Sequence, residues 1–104
     1  MAGKWTVKPA SRKAEKEWRA AEAVEPDLMG AERERLEEKP TDRGNPRRTG
    51  PLKGKYAERS VAGRKLPQWQ HEITAAGRIW YCLDRERRTI WVTKVSLSHP
   101  KETD

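Results

Sequence analysis

Residues 69–101 read WQHEITAAGRIWYCLDRERRTIWVTKVSLSHPK, and this stretch decides the fold. Trp69, His71 and Ile73 alternate with Gln70, Glu72 and Thr74, the two-residue period of a strand with one buried face. Ala75, Ala76 and Gly77 then supply a tight reversal. Residues 78–83 and 89–95 are almost continuous in β-branched, aromatic and aliphatic side chains, as expected of central strands packed on both faces. Residues 84–88 form a charged turn between them. The expectation is a three-stranded antiparallel meander.

Upstream of the meander the periods change. Lys4 to Lys8 alternate and read as an edge strand stopped by Pro9. Ser11 has the chemistry of an N-cap for a helix running to about Val24, with Ala14, Trp18 and Ala21 on one face at spacings of four and three. Pro26 suits the first turn of a second helix reaching about Lys39, with Leu28, Met29 and Leu36 on its apolar side and Pro40 as the stop. Residues 40–54, PTDRGNPRRTGPLKG, are punctuated by Pro and Gly, and the whole of 40–65 reads as a basic loop. The fold class is therefore α+β. A strand, a two-helix hairpin and the meander form one domain over residues 1–104, a twisted sheet with the helices on one face.

Composition narrows the rest. With 104 residues, 34% hydrophobic and no Phe, the core is modest and must rest on five Trp and two Tyr, most of which are expected to be buried. Cys82 is the one cysteine and lies in a strand pattern, so no internal disulfide forms and the thiol is read as core. The chain has neither a signal-peptide h-region nor an apolar run near ~18 residues. The expectation is a soluble, cytoplasmic protein with no membrane partner.

Charge is concentrated rather than spread. The chain carries 23 Lys and Arg against 16 Asp and Glu, a formal +7. Residues 43–65 hold eight of the basic residues (Arg43, Arg47, Arg48, Lys53, Lys55, Arg59, Arg64 and Lys65) against Glu58 alone, so the remainder of the chain is neutral. A localised excess of this kind suits a polyanion, because each phosphate neutralised by Lys or Arg releases counterions whatever the base sequence. Arg47, Arg48, Arg59, Arg64 and Lys65 are the candidate RNA-binding residues.

The order of elements and the local wording together resemble the RelE/ParE toxin superfamily. Leu52-Lys53-Gly54 precedes the sheet, Gly77-Arg78-Ile79-Trp80-Tyr81 opens the second meander strand, and Asp84 follows it. This is similar to the family's leucine-basic-glycine, arginine-leucine/isoleucine-x-tyrosine and aspartate pattern. The resemblance covers the whole chain by architecture and residues 52–101 by specific residues. It implies the toxin of a type II toxin–antitoxin pair whose partner is a cognate acidic antitoxin. The RelE-like branch cleaves mRNA in the ribosomal A site, so ribosome and mRNA are implied partners, whereas the ParE-like branch acts on DNA gyrase. His99-Pro100-Lys101 favours the nuclease branch.

Cleavage of this kind needs a base to take the 2′-hydroxyl proton, charge to stabilise the phosphorane-like transition state, and an acid for the leaving 5′-oxygen. The resemblance implies no cofactor and no metal. It makes Arg78 the phosphate clamp, since a guanidinium offers a fixed fork of donors. Lys53 and Lys55 resemble lysines that serve transition-state charge or proton transfer. His99 is the candidate general acid or base, its unperturbed pKa lying near neutrality, with Lys101 as an accessory. Where YoeB-like members carry a glutamate base this chain has Gly50, and where members carry a phosphate-contacting arginine it has His71, Glu72 and Thr74. Glu72 is therefore the alternative carboxylate base, and His71, on the face of Trp69 and Ile73, is read as a core-edge histidine. Two other classes stay open. One is a gyrase-directed inhibitor without nuclease activity; the other is a non-catalytic RNA-binding protein using exposed Trp as stacking platforms, which the burial patterns disfavour.

Overall fold

Backbone starts and stops fall where the side chains provide them. In the computed structural model, which describes residues 4–44 and 48–97, Ser11 is extended and its Oγ accepts the Ala14 N–H at 3.1 Å. That bond satisfies one of the free donors of the first turn and starts α1, Arg12–Val24. Ala14 and Ala21 are buried, and Trp18 packs against the core. Pro26 opens α2, Pro26–Glu38, whose buried side chains are Met29, Glu32 and Leu36. Ahead of the helices lies β1, Thr6–Pro9, an edge strand that tolerates Pro9 at its end.

The strands that follow are β2 (Thr49–Pro51), β3 (Glu58–Val61), β4 (Arg64–Glu72), β5 (Arg78–Asp84) and β6 (Thr89–Ser96), with a short 3₁₀ turn at Gly54–Tyr56. Sheet order is β1-β6-β5-β4-β2, with β3 paired to β4 off this path. β1 runs parallel to β6 and the other pairs are antiparallel, so the α+β sheet is mixed.

The expected meander is present as β4, β5 and β6, but two expectations around it are corrected. The stretch 40–65 is not one loop. Thr49, Gly50 and Pro51 pair with His71, Gln70 and Trp69 through the backbone, and β3 forms a hairpin with the start of β4. Three residues are too few to show a period. The hairpin turns on Ala62 and Gly63, both at positive φ (54° and 80°), as a type I′ turn requires, with Ala where Asn or Asp is the usual signal. β4 also starts at Arg64 rather than Trp69. Pro67 sits where β4 changes partner from β3 to β5, which is how a proline fits a strand whose sequence argues against it.

The second correction concerns the faces. Ile73, Ile79, Tyr81, Leu83, Ile90, Val92 and Val95 pack on one side with Ala21, Met29 and Leu36 from the helices. Val92 and Val95 are three apart and share that side only because a bulge intervenes: Tyr81 pairs with Val92 and Trp80 with Lys94, leaving Thr93 over. On the opposite side Val61 and Leu66 of the β3–β4 hairpin cover Cys82, and Gln68, Asp84 and Thr93 are buried there as well. The central strands are thus buried on both faces at the Cys82–Asp84 end, and only partly covered on the helix-free face at Arg78, Trp80, Trp91, Lys94 and Ser96. Of the five Trp, Trp5 alone is buried, and Trp80 and Trp91 on the helix-free face are partly exposed. At the β4–β5 turn a Cβ on Gly77 would lie 2.7 Å from Thr74 Oγ1 and 2.9 Å from the Ser96 carbonyl, so only glycine fits. Among the described residues no helix is long and apolar enough to cross a membrane.

Candidate nucleic-acid interface

Register places a coherent set of side chains on the helix-free face. Arg78 and Trp80 of β5 lie beside Glu72 and Gln70 of β4, with Ser96 and Lys94 of β6 on the other side. Arg78 stands directly opposite Glu72 on adjacent antiparallel strands, where Cβ atoms lie about 4.5–5.5 Å apart. Both are half-buried, and among the described residues the Arg78 guanidinium has no ion-pair partner. A guanidinium and a carboxylate therefore stand on neighbouring strands at the opening of β5.

Aromatic rings and lysines alternate along the same face. Tyr56, 46% exposed, has its ring centroid 5.2 Å from that of Trp80, tilted by 56°. The Lys55 ammonium lies 5.2 Å from the Tyr56 ring, Lys94 lies 4.9 Å from Trp80, and Lys8 lies 5.9 Å from Trp91. None of these three lysines pairs with a carboxylate among the described residues. A cation on an exposed ring is worth about 0.5–1 kcal/mol. A base stacked on an aromatic ring is worth about 1–3 kcal/mol.

The other basic residues divide. Lys55, Arg59 and Lys65 line one open depression of about 330 Å³ with Glu58 as its one acid, and all three are exposed. Lys53 is exposed just ahead of the 3₁₀ turn. Arg48 is exposed at the β2 edge, and its Nη2 donates to the Glu72 carbonyl at 2.8 Å. Arg64, expected on the RNA-binding surface, is engaged within the fold. Its Nη1 donates to both Asp84 oxygens at 2.9 and 3.1 Å, and its Nη2 to Glu86 at 2.7 Å. Asp84 is 1% exposed. Burial pushes its carboxyl up, but donation by the Trp91 indole, the Arg87 N–H and Arg64 outweighs burial and holds it below the usual range. Arg47, His99 and Lys101 lie outside the described residues.

Under α2 there is a second polar cluster, on the covered side. Arg35 Nη2 donates to Thr49 Oγ1 at 3.1 Å, and Thr49 Oγ1 lies 2.6 Å from Nδ1 of His71. On the far side of the ring, His71 Nε2 lies 3.3 Å from Glu32 Oε1. Threonine, histidine and glutamate are thus ordered like a nucleophile, base and acid. Thr49 is 3% exposed, however, so no substrate reaches it, and the cluster ties α2 to β2 and β4. It also bears on Tyr81, whose hydroxyl donates to the Pro40 carbonyl at 2.7 Å and whose pKa is raised by burial. The expectation for His71 as a satisfied core-edge residue holds. Glu32 was missed, although its place between Met29 and Leu36 on the apolar stripe of α2 is the signal of a buried partner.

Cys82 is a free buried thiol, pushed up to about 11 by desolvation, and is inert core as expected. Among the described residues no group of three or more His, Cys, Asp and Glu is placed to hold a metal ion. Comparison of the chain with family models, with curated proteins and with solved structures finds no match.

Proposed function

We propose that the chain is a RelE-like toxin, a ribosome-dependent endoribonuclease that cleaves mRNA by attack of a 2′-hydroxyl on the adjacent phosphate. The observation that carries this reading is the Arg78 guanidinium, without an ion-pair partner among the described residues and opposite the carboxylate of Glu72 on a sheet face that no helix covers. In the reaction Glu72 takes the 2′-hydroxyl proton, the 2′-oxygen bonds to phosphorus, and Arg78 stabilises the charge that develops on the phosphoryl oxygens. The bond to the 5′-oxygen breaks, and that oxygen receives a proton from His99 or a lysine, Lys55 or Lys53 on the described surface, leaving a 2′,3′-cyclic phosphate and a 5′-hydroxyl. Lys55, Arg59 and Lys65 hold the flanking backbone. A cognate antitoxin with an acidic, partly helical segment covers the basic surface by electrostatic complementarity.

Primer extension on mRNA held in stalled ribosomes tests the proposal. The purified chain should cut in the A site, and Arg78→Ala should cut about 10²–10³-fold more slowly with an unchanged circular dichroism spectrum. Cleavage by Arg78→Ala at the parental rate would sink the assigned site. A parent chain that leaves mRNA intact but inhibits supercoiling by gyrase would replace the reading with a ParE-like one. The exposed Tyr56 ring beside the partly exposed Trp80 favours one alternative, an RNA-binding protein without catalysis, which predicts RNA binding with no cut in either assay.

A further inference from the structure

Tyr56 is the feature that the nuclease reading leaves unused. It is a large aromatic side chain standing open on the surface, yet its backbone is fixed: Gln68 Nε2 donates to the Tyr56 carbonyl at 2.9 Å, and the 3₁₀ turn closes with Ala57 N–H on Gly54 O at 3.1 Å. Its neighbour Trp80 is carried by a central strand between Gln70 and Lys94. The pair is therefore held in place before anything binds, and it is flanked by two ammonium groups, on Lys55 and Lys94, that have no carboxylate partner among the described residues.

We propose that Tyr56 and Trp80 form a stacking subsite for an unpaired base of single-stranded RNA, with Lys55 and Lys94 leaving the rings to meet the flanking phosphates. This rests on the reading of the helix-free face as the RNA-binding one. The chemistry selects a nucleotide over an acidic peptide. Carboxylates would use the two lysines and leave the rings idle, whereas a nucleotide uses a π-face and an anion at the spacing in which the ring-capping lysines already offer both. Stacking of this kind accepts any base, so the subsite adds affinity and positions the strand without imposing sequence.

The test is fluorescence anisotropy of a short labelled oligouridylate with the full chain across a range of salt. Tyr56→Phe keeps the ring and should bind within about twofold of the parent, while Tyr56→Leu keeps apolar bulk without a π-face and should bind about tenfold more weakly. The salt slope should be the same in both. Lys94→Ala should lower that slope by about 0.7, the loss of one single-strand phosphate contact. RNA should also quench the tryptophan fluorescence of the parent and quench Trp80→Phe less, a readout that does not depend on Tyr56→Leu being folded. Equal affinity of Tyr56→Leu and the parent, or no oligouridylate binding at low salt, overturns the subsite. So does an oligoglutamate that binds the parent more tightly than RNA and loses affinity in Tyr56→Leu, which would make the rings part of a protein-docking surface. The nuclease reading is scored separately on ribosomes. Cleavage with oligouridylate affinity untouched in Tyr56→Leu sinks the subsite alone, and an RNA affinity lost in Tyr56→Leu, in a chain that cuts nothing, sinks the nuclease alone.

Discussion

Trp80 and Tyr81 are consecutive on β5 and meet opposite environments. Tyr81 is fully buried beneath the helices, packed with Leu36 and Met29, and its hydroxyl is satisfied by the Pro40 carbonyl. Trp80 faces the side without helices, where its ring is met by Tyr56 and Lys94 and remains partly exposed. The contrast extends to charge. On the covered side Glu32, His71 and Arg35 sit within a network of short contacts, and on the open side Lys8, Lys55 and Lys94 lie over rings and have no carboxylate partner among the described residues. An aromatic-rich strand is thus not evidence of two buried faces. Two short helices cover one side of a sheet, and the aromatics left on the other stay partly exposed.

Substitutions on the two faces should therefore separate in kind. The largest effect should come from Leu36→Ala, which leaves a cavity at the helix–sheet contact and should cost about 2–5 kcal/mol by urea unfolding, whereas Trp80→Phe should stay within about 0.5 kcal/mol of the parent. Comparable losses for the two would erase the distinction between faces.

Next in size is Arg64→Ala. It strands the Asp84 carboxylate, 1% exposed, with only the Trp91 indole and the Arg87 N–H, and the expected loss is about 3 kcal/mol. Acid titration sharpens it. The folded carboxyl of Asp84 lies below its unfolded value of about 3.9. Its contribution is therefore present above that value and is lost as pH falls through the folded pKa. Removing Arg64 raises the folded pKa, so the acid-unfolding midpoint followed by circular dichroism should move to higher pH. An unmoved midpoint would show that Arg64 is free for RNA after all.

A smaller loss is expected from Tyr81→Phe, which deprives the buried Pro40 carbonyl of its donor while keeping the ring, at about 1–2 kcal/mol in the same urea experiment. Smallest in stability is Lys8→Ala, within about 0.5 kcal/mol, because its one ring contact is at the surface. If the open face holds RNA along its length, that substitution still flattens the salt dependence of oligouridylate binding, and a slope identical to the parent's would confine the RNA to the Tyr56–Trp80 end.

Much of this architecture is legible in the chain because its signals are local. Ser11 caps α1 through a bond three residues away, Pro26 opens α2, and the alternation through His71 and Ile73 fixes which side of β4 is buried. The candidate site is legible in part. Arg78 and Glu72 are named by their neighbours in sequence, but their being opposite one another depends on the register of the β4–β5 pair.

The sequence by itself determined the α+β class, the two helices, the three long strands and the surplus of positive charge in residues 43–65, since periodicity, capping and composition act over a few residues. Tertiary structure alone decided the rest. β2 exists because the β4 edge offers backbone partners to Thr49, Gly50 and Pro51, not because three residues prefer to be extended. Arg64 is drawn out of the basic run because Asp84 is buried beneath it and requires a cation, while Lys55 and Lys65 beside the same hairpin meet no such demand and stay exposed. Which aromatics become core and which become surface follows from where the helices lie, and that is settled only when the whole sheet has formed, because the burial of a strand face depends on the elements that reach it from elsewhere in the chain.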